Sequence, residues 1–431
     1  MVINRGLSLI GTSALLLFLM FSTGGRAQTL QNACTGELGD VNWACDSLAP
    51  VPSEVFDGQD ELLPLPGTPD PANPVLYRQI AGDPVTFDAE TGERTSGVSS
   101  SASNNGDGAV FVLTEGTYWC MLAESNGEAA LFDAPEGSFV SSASEVPTST
   151  WLSESVEAII APDTKLKYIV YTHSHWDHVG AAGLVYDYFA QDNPTVVSSK
   201  RIRAALKTRD DLGDPTSVHG NSRGVPIPEK LDATDYQQLE VGGLRFELRK
   251  LHAHQRGDLF VFLDKNVAEN AAQGIDSSIF MVVDTIFPGW VPFFSVAVST
   301  DIGGYYAAMD TILSYDFDVL VAGHFTRLGT KADVELNKDF FADVLEGAKT
   351  AIATVSADDV AAGTGVFDPT NPNAGNILFV INEQLDRRMD ACEAYVLDSG
   401  SRDHDWLAEL GGVEITLRSQ CFAVLVYILI G

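Results

Sequence analysis

The sequence has little positive charge. Its 431 residues include 26 Lys and Arg against 59 Asp and Glu, which gives a formal net charge of −33 at pH 7. A surface this acidic repels nucleic-acid phosphates and anionic lipid headgroups. We therefore expect no nucleic-acid partner and no membrane attachment through basic residues. The charge carries no information about the fold.

Long apolar runs are almost absent as well. The only long one covers residues 7–21, follows Arg5, and precedes a stretch of small residues that ends at Ala27. This layout is typical of a secretory signal peptide over residues 1–27, so we expect a secreted or periplasmic protein whose mature chain starts near Gln28. An uncleaved anchor is the alternative. The apolar end, Cys421–Ile430, is too short to span a bilayer, so no stable membrane span is expected. We interpret it as a buried helix or strand, with a lipid-anchor signal as the alternative.

Cysteine is scarce, and no two cysteines have zinc-finger spacing. The five are Cys34, Cys45, Cys120, Cys392 and Cys421. Export permits disulfides, and the favoured arrangement pairs Cys34 with Cys45 and Cys392 with Cys421. The sequence does not fix this connectivity.

The amino-acid composition of the chain changes at residue 109. Residues 28–108 are rich in Pro, Gly, Ser, Asn and Asp and predict an irregular N-terminal arm. Residues 109–350 alternate strand-like runs with helical patterns, and residues 351–431 form a C-terminal extension. Strands alternating with helices favour a layered α/β architecture. Among the clearest elements are a buried strand at Leu166–Tyr171 and an amphipathic helix at Asp333–Thr354.

Four potential metal ligands directly follow the Leu166–Tyr171 strand. They are His173, His175, Asp177 and His178. In an extended backbone, residues two apart point the same way, so the first two can bind one ion. The other two fall where the chain turns into a helix and can address a second ion.

Three more candidates lie farther along, each at or near the end of an apolar run. They are His254, Asp284 and His324. His252 is close enough in sequence to take the place of His254. His219 and His404 are interpreted as non-ligands, and Asp258 as a residue that turns the backbone.

This order of motifs resembles the metallo-β-lactamase superfamily, whose signature is His-x-His-x-Asp-His followed by a third His, an Asp and a last His. The similarity covers roughly residues 109–348. It implies a four-layer αββα sandwich with the site between the two sheets, here flanked by the N-terminal arm and a C-terminal helical extension. It also implies that His173, His175 and His254 form the first metal site. Asp177, His178 and His324 would form the second, with Asp284 bridging two divalent ions.

The resemblance implies an exported binuclear hydrolase of a small-molecule substrate: an ester, thioester, lactone or lactam. A hydroxide shared by two ions would attack the carbonyl, and Asp177 would be the catalytic residue that orients it and moves its proton. Histidine rather than a carboxylate at position 175 favours zinc. Two alternatives stay open: a mononuclear iron-dependent sulfur oxygenase of the same superfamily, and a non-catalytic metal-binding protein.

An aromatic loop, Ile286–Phe294, follows Asp284. It is either one wall of an apolar substrate pocket, with Trp176 opposite, or a loop packed on the core. The sequence identifies neither the substrate nor the oligomeric state.

Overall fold

The fold is taken from a computed structural model of the chain. It describes residues 63–65, 75–88, 93–95, 108–114, 117–136, 150–212, 225–228, 236–324, 327–372, 374–398 and 404–430. The predicted signal peptide, the Cys34–Cys45 pair and most of the predicted N-terminal arm lie outside these residues.

Twelve strands in the described part of the chain form two sheets. Seven strands in chain order make the first sheet, antiparallel from β1 to β5 and parallel from β5 to β7. They are β1 (Leu63–Pro64), β2 (Leu76–Gly82), β3 (Ala109–Thr114), β4 (Trp119–Ser125), β5 (Glu128–Phe132), β6 (Lys165–Val170) and β7 (Thr195–Val197).

The second sheet has five strands in the order β12-β11-β10-β9-β8, antiparallel except for the parallel pair β11–β12. They are β8 (Tyr236–Val241), β9 (Leu244–His252), β10 (Arg256–Leu263), β11 (Ile279–Met281) and β12 (Val319–Val321).

Helices lie outside both sheets. In chain order they are α1 (Trp151–Ile159), α2 (Trp176–Val179), α3 (Ala182–Tyr188), α4 (Lys200–Leu212), α5 (Ala268–Ala272), α6 (Ile302–Leu313), α7 (Lys331–Thr354), α8 (Ala357–Thr364), α9 (Ile377–Leu397), α10 (Trp406–Glu409) and α11 (Val413–Ile430).

Three apolar cores define the layers. The first joins α1, α3 and α4 to the outer face of the seven-stranded sheet, with Val156, Val185 and Leu206 in contact with its residues. The second fills the space between the two sheets. The third joins the outer face of the five-stranded sheet to α6, α7, α9 and α11. Two sheets between two helical layers confirm the four-layer αββα sandwich, and helices α8 to α11 confirm a C-terminal helical extension.

Burial explains why the central strands form where they do. Every residue of β3 and β4 is buried, because one face meets helices and the other meets the second sheet. Such strands are read in sequence as unbroken apolar runs rather than as alternating patterns. Strand β2 differs, since five of its seven residues are only partly buried. It lies within the predicted irregular arm, yet it pairs along its length with β3.

Helix α7 starts two residues before its predicted beginning. The Asp333 carboxylate accepts a hydrogen bond from the Thr330 backbone N–H at 2.8 Å, which satisfies a donor that the helix itself leaves unpaired. This capping box sets the first turn at Lys331. The predicted end at Thr354 is confirmed.

Helix α11 is the one described helix that is long and apolar enough, by length and composition alone, to cross a membrane. Only part of it is buried: Leu417, Val424 and Leu425 enter the third core, whereas Leu429 and Ile430 are exposed. It contacts α7 and α9, so the predicted terminal helix is present but only partly buried.

A disulfide joins α9 to α11. Cys392 and Cys421 have Cα atoms 6.0 Å apart and are fully buried. The pairing that the sequence favoured for these two cysteines is therefore present. Cys120 is buried in β4.

We expect a Cys392→Ala/Cys421→Ala variant to lose about 3 to 4 kcal/mol of the free energy of unfolding, because the bridge closes a long loop in the unfolded chain. The bridged residues are 29 positions apart. Urea denaturation of oxidised protein, with Cys120→Ala as the matched control, measures this. Equal unfolding midpoints for the double variant and the control would contradict it.

Candidate metal centre

The site lies where strands of both sheets end. Strand β6 of the first sheet leads into Thr172, His173 and the short helix α2, whose N-cap is His175. The second sheet contributes the β9–β10 turn with His254, the end of β11 with Asp284 and the end of β12 with His324. Both halves of the chain therefore supply side chains to one cleft.

Three histidines surround one oxygen of Asp284. Its Oδ2 lies 3.3 Å from His173 Nε2, 3.4 Å from His254 Nε2 and 4.0 Å from His175 Nδ1. The ring nitrogens of His175 and His254 are themselves 2.8 Å apart. The four ligand atoms all lie within 4.8 Å of one another, which is the grouping expected around a single cation.

The other Asp284 oxygen faces a second group. Its Oδ1 lies 2.8 Å from His324 Nε2 and 3.3 Å from His178 Nε2. Asp177 Oδ2 stands 3.7 Å from the His178 nitrogen and 3.8 Å from the His324 nitrogen. All seven predicted ligands thus converge, and Asp284 has one oxygen in each group.

The donor set fits divalent metal. Among the described residues, His173 Nε2 is a buried atom that makes no hydrogen bond, although it points into the cluster. An orphaned buried polar atom is costly unless something binds it. Five imidazoles and two carboxylates form a nitrogen-rich set of the type that zinc prefers. The residues present therefore fit the binding of divalent metal.

Electrostatics in the cluster favours positive charge. Burial opposes protonation of His178, but the carboxylates of Asp284 and Asp177 outweigh it and raise its pKa to about 9. Burial also raises the pKa of Asp284, yet the nearby His324 and His178 hold it well below its ordinary value. Burial lowers the pKa of His254 to about 3, so this ring is neutral at pH 7. A cation bound here takes the place of protons on the ligands.

Two backbone features hold these ligands in place. Asp284 has a positive φ of 59°, which Asp tolerates better than most residues. Gly323, directly before His324, has φ 86°, and a Cβ there would lie 2.4 Å from Val283 Cγ1. Glycine is therefore required for the chain to leave β12 this close to β11.

Asp133 supports the site and was missed as a functional residue by sequence reasoning. It is fully buried after β5, and its two oxygens accept hydrogen bonds from Thr172 N and Thr172 Oγ1, both at 2.7 Å. The Thr172 hydroxyl lies 3.2 Å from His173 Nδ1, on the ring edge away from the cluster. Asp133 therefore orients His173 through Thr172. An aspartate directly after an apolar strand was the available signal, but the sequence Asp133-Ala134-Pro135 is equally typical of a simple turn.

Gln255 contacts the outer edge of His175. Its amide nitrogen lies against His175 Nε2, and its amide oxygen accepts a hydrogen bond from Ser174 Oγ at 3.0 Å. Because His175 directs Nδ1 into the cluster, its Nε2 bears the proton when Nδ1 binds metal. If the Gln255 amide is rotated by about 180°, its oxygen accepts the hydrogen bond from His175 Nε2–H and its nitrogen donates to Ser174 Oγ.

We expect Gln255→Leu to weaken metal binding by about 10- to 100-fold, the usual cost of losing a group that orients a ligand. Gln255→Glu keeps an acceptor for His175 and serves as the matched control. Competition with a chromophoric chelator measures both affinities. Equal affinities for Gln255→Leu and the wild type would show that Gln255 does not orient His175.

The remaining candidates fall outside the cluster. His252 is half-exposed, and its Nδ1 lies 3.9 Å from Asp301 Oδ2, so His254 and not His252 enters the site. His404 contacts Glu409 at 2.8 Å on the C-terminal extension. Asp258 accepts a hydrogen bond from Gln255 N at 2.6 Å, which confirms its predicted role in the turn. His219 lies outside the described residues.

Aromatic rings border the second group. The His324 ring has its centroid 5.0 Å from that of Tyr118, 5.8 Å from Phe287 and 5.7 Å from Phe293. Phe287 is fully buried and packs in the core, whereas Phe293 is partly exposed and Phe294 is half-exposed. One part of the loop is therefore core and the other lies beside the metal cluster, while its role as a wall of a substrate pocket stays a prediction. Trp176, predicted opposite, begins α2 and is partly buried.

Comparison with known proteins bears on the family. Residues 113–266 match the metallo-beta-lactamase superfamily, a stretch that contains five of the seven cluster residues. No curated protein sequence matches the chain. Solved structures similar to it include a metallo-beta-lactamase from Pontibacter korlensis, 16% identical over 56% of this chain and 96% of that one, with a TM-score of 0.38. Another is MEM-A1, a subclass B3 metallo-beta-lactamase from a soil metagenome library, 15% identical over 52% of this chain and 78% of that one, with a TM-score of 0.35. The ordered histidine and aspartate motifs and the match over residues 113–266 together show that this chain contains a metallo-beta-lactamase superfamily domain.

Proposed function

We propose that the protein is an exported hydrolase that uses two divalent metal ions, with zinc as the expected metal, to cleave an ester, thioester, lactone or lactam. One observation carries the proposal. The two oxygens of Asp284 face two separate ligand groups, and each group contains at least two histidine nitrogens. A carboxylate in that position is suited to bridging two cations.

The ligands of each ion follow from the two groups. His173, His175 and His254 would hold the first, Asp177, His178 and His324 the second, and Asp284 both. Two such ions lower the pKa of a water molecule between them and polarise a substrate carbonyl.

Asp177 has the catalytic role in this proposal. Its side chain is 18% exposed, more than that of any other second-group ligand, so it faces the cleft opening. An ionised carboxylate there accepts the proton of the attacking water and delivers it to the leaving group. Tyr118 and Phe293 border this side of the cleft and restrict the access of bulk water.

Metal analysis of purified protein together with a substrate panel tests the proposal. We expect two equivalents of divalent metal and turnover of at least one ester, thioester, lactone or β-lactam that chelation abolishes and added zinc restores. A protein that holds one iron and oxidises a thiol would support the oxygenase instead. Two bound metals without turnover of any panel member would refute the hydrolase.

Export rests on residues 1–27 alone, and a small-molecule substrate is the only partner proposed. Expression of the full chain in a bacterial host, followed by fractionation and N-terminal sequencing, tests export. The expected result is an exported mature chain that begins near Gln28. A cytoplasmic protein with its N-terminus intact would oppose it.

A further inference from the structure

The segment after Phe293 has a backbone that its residues do not favour. Ser295, Val296, Ala297 and Val298 have φ angles of 55°, 56°, 53° and 50°. This left-handed turn contains no glycine, and two of its four residues are β-branched. In L-residues the left-handed conformation brings Cβ close to the next carbonyl oxygen. Contacts from elsewhere must therefore hold the turn.

Helix α11 supplies those contacts through Gln420, which is fully buried. Its Oε1 accepts a hydrogen bond from Val296 N, and its Nε2 donates to the carbonyls of Phe293, at 3.1 Å, and Pro292. Next to it, Ser419 Oγ accepts a hydrogen bond from Ser295 N at 3.0 Å. The turn is thus fixed by side chains more than 120 positions away in sequence.

The turn connects two parts of the metal cluster. At its start, the Phe293 ring lies 5.7 Å from the His324 ring. After its end, Ser299 Oγ donates to the Ala253 carbonyl at 3.0 Å, and Thr300 N donates to the His254 carbonyl at 2.9 Å. The conformation of the turn therefore decides where Phe293 and Phe294 stand relative to the site.

We propose that Gln420 is a positioning residue that makes helix α11 part of the active-site wall. By holding the left-handed turn, it keeps Phe293 beside His324 and the half-exposed Phe294 beside Phe293, with ring centroids 5.6 Å apart. Those two rings contact an apolar acyl or alkyl group of the substrate. This substrate class rests on the proposed function, whereas the role of Gln420 in the turn does not.

Gln420→Met tests the proposal. Methionine keeps the length and volume of the side chain, so packing of α11 is preserved while all three hydrogen bonds to the turn are lost. Arg418→Ala is the matched control on the same helix. Its guanidinium forms ion pairs with Glu393 at 2.8 Å and Asp386 at 3.3 Å on α9 and does not contact the turn.

The first readout needs no substrate. We expect hydrogen exchange at the backbone amides of residues 295–298 to become about tenfold faster or more in Gln420→Met and to stay unchanged in Arg418→Ala. Ser419→Ala, a milder variant at a partly exposed position, should accelerate exchange at Ser295 alone. It keeps the test open where Gln420→Met folds poorly. Unchanged exchange in both variants would overturn the proposal.

The second readout compares ester substrates of increasing acyl length. In Gln420→Met, KM for a long-chain ester should rise by about tenfold, the scale for a lost apolar pocket contact, while KM for the acetyl ester changes less than about twofold. Metal content should equal that of the wild type. Faster exchange with equal changes in KM for both esters would overturn the proposal that Phe293 and Phe294 contact the acyl chain. Metal loss as severe as that of His254→Ala would overturn it as well, because Gln420 would then be positioning a ligand.

Rescue distinguishes a backbone role from simple destabilisation. Ala297→Gly removes one methyl group and makes a positive φ acceptable at that position. In the Gln420→Met background it should recover most of the exchange protection and the preference for the long acyl chain. Failure to recover either would contradict the proposed mechanism. A wild-type protein that hydrolyses no ester refutes the proposed function and the substrate class, while the exchange measurements still decide the role of Gln420.

Discussion

Replacing Asp284 by asparagine is expected to remove both metal ions and reduce hydrolysis by about 10³-fold or more, at the upper end of the cost of removing one charge-stabilising group. The variant keeps the shape of the side chain but loses its charge. In the proposed site, two divalent ions would bring four positive charges, which the ligands Asp284 and Asp177 would oppose in the wild type and Asp177 alone in the variant. Because Asp284 is buried, water does not compensate for the missing charge.

The measurement is metal content after dialysis against limiting chelator, followed by turnover of the best panel substrate. Asp316→Asn is the matched control, since it also removes one negative charge but at a side chain that is 95% exposed. If Asp284→Asn retained two metal equivalents, Asp284 would not be a ligand shared by both ions. Loss of one ion only would assign Asp284 to a single group.

Asp177→Asn should have the second largest effect, a fall in hydrolysis of about 10²-fold or more, which is the usual scale for losing general acid–base help. The change removes the proton acceptor and the charge, while the first group is untouched. Metal at His173, His175 and His254 should therefore largely survive.

Pairing metal content with rate makes this test specific. In a binuclear hydrolase, the turnover rate should fall far more than the metal content. In an iron oxygenase that binds one metal through histidines of the first group and Asp284, the turnover rate should change much less. Near wild-type hydrolysis with full metal content would remove the role given to Asp177. His252→Asn, at an exposed histidine outside the cluster, is the control for a general effect of the substitution.

The parts of the site that follow strands were predictable from sequence. His173 to His178 directly follow an apolar run, and Asp284 and His324 follow two others, so each residue was placed by the strand before it. The four-layer fold came from the resemblance and from the alternation of strands and helices. Strands that are buried on both faces, such as β3 and β4, consist mostly of apolar residues, so composition alone predicts them.

Features that depend on distant contacts were not predictable. Strand β2 reads as part of a Pro/Gly-rich arm because its partly exposed side chains show no apolar run, and pairing with β3 makes it a strand. The left-handed turn at Ser295–Val298 conflicts with local propensity, and it is held by Gln420 and Ser419, far along the chain. Asp133 acts on His173 through Thr172, a relation that sequence spacing does not contain.

The division of the ligands between the two sheets has a consequence for folding. Residues 63–212 supply His173, His175, Asp177 and His178, and residues 236–430 supply His254, Asp284 and His324. Neither group of ligands is complete until the second core has closed between the sheets. Tight metal uptake during refolding should therefore lag behind the formation of secondary structure and coincide with docking of the two sheets. In the proposed two-metal state, the ions would act as a cross-link between halves of the chain that no disulfide in the described residues joins.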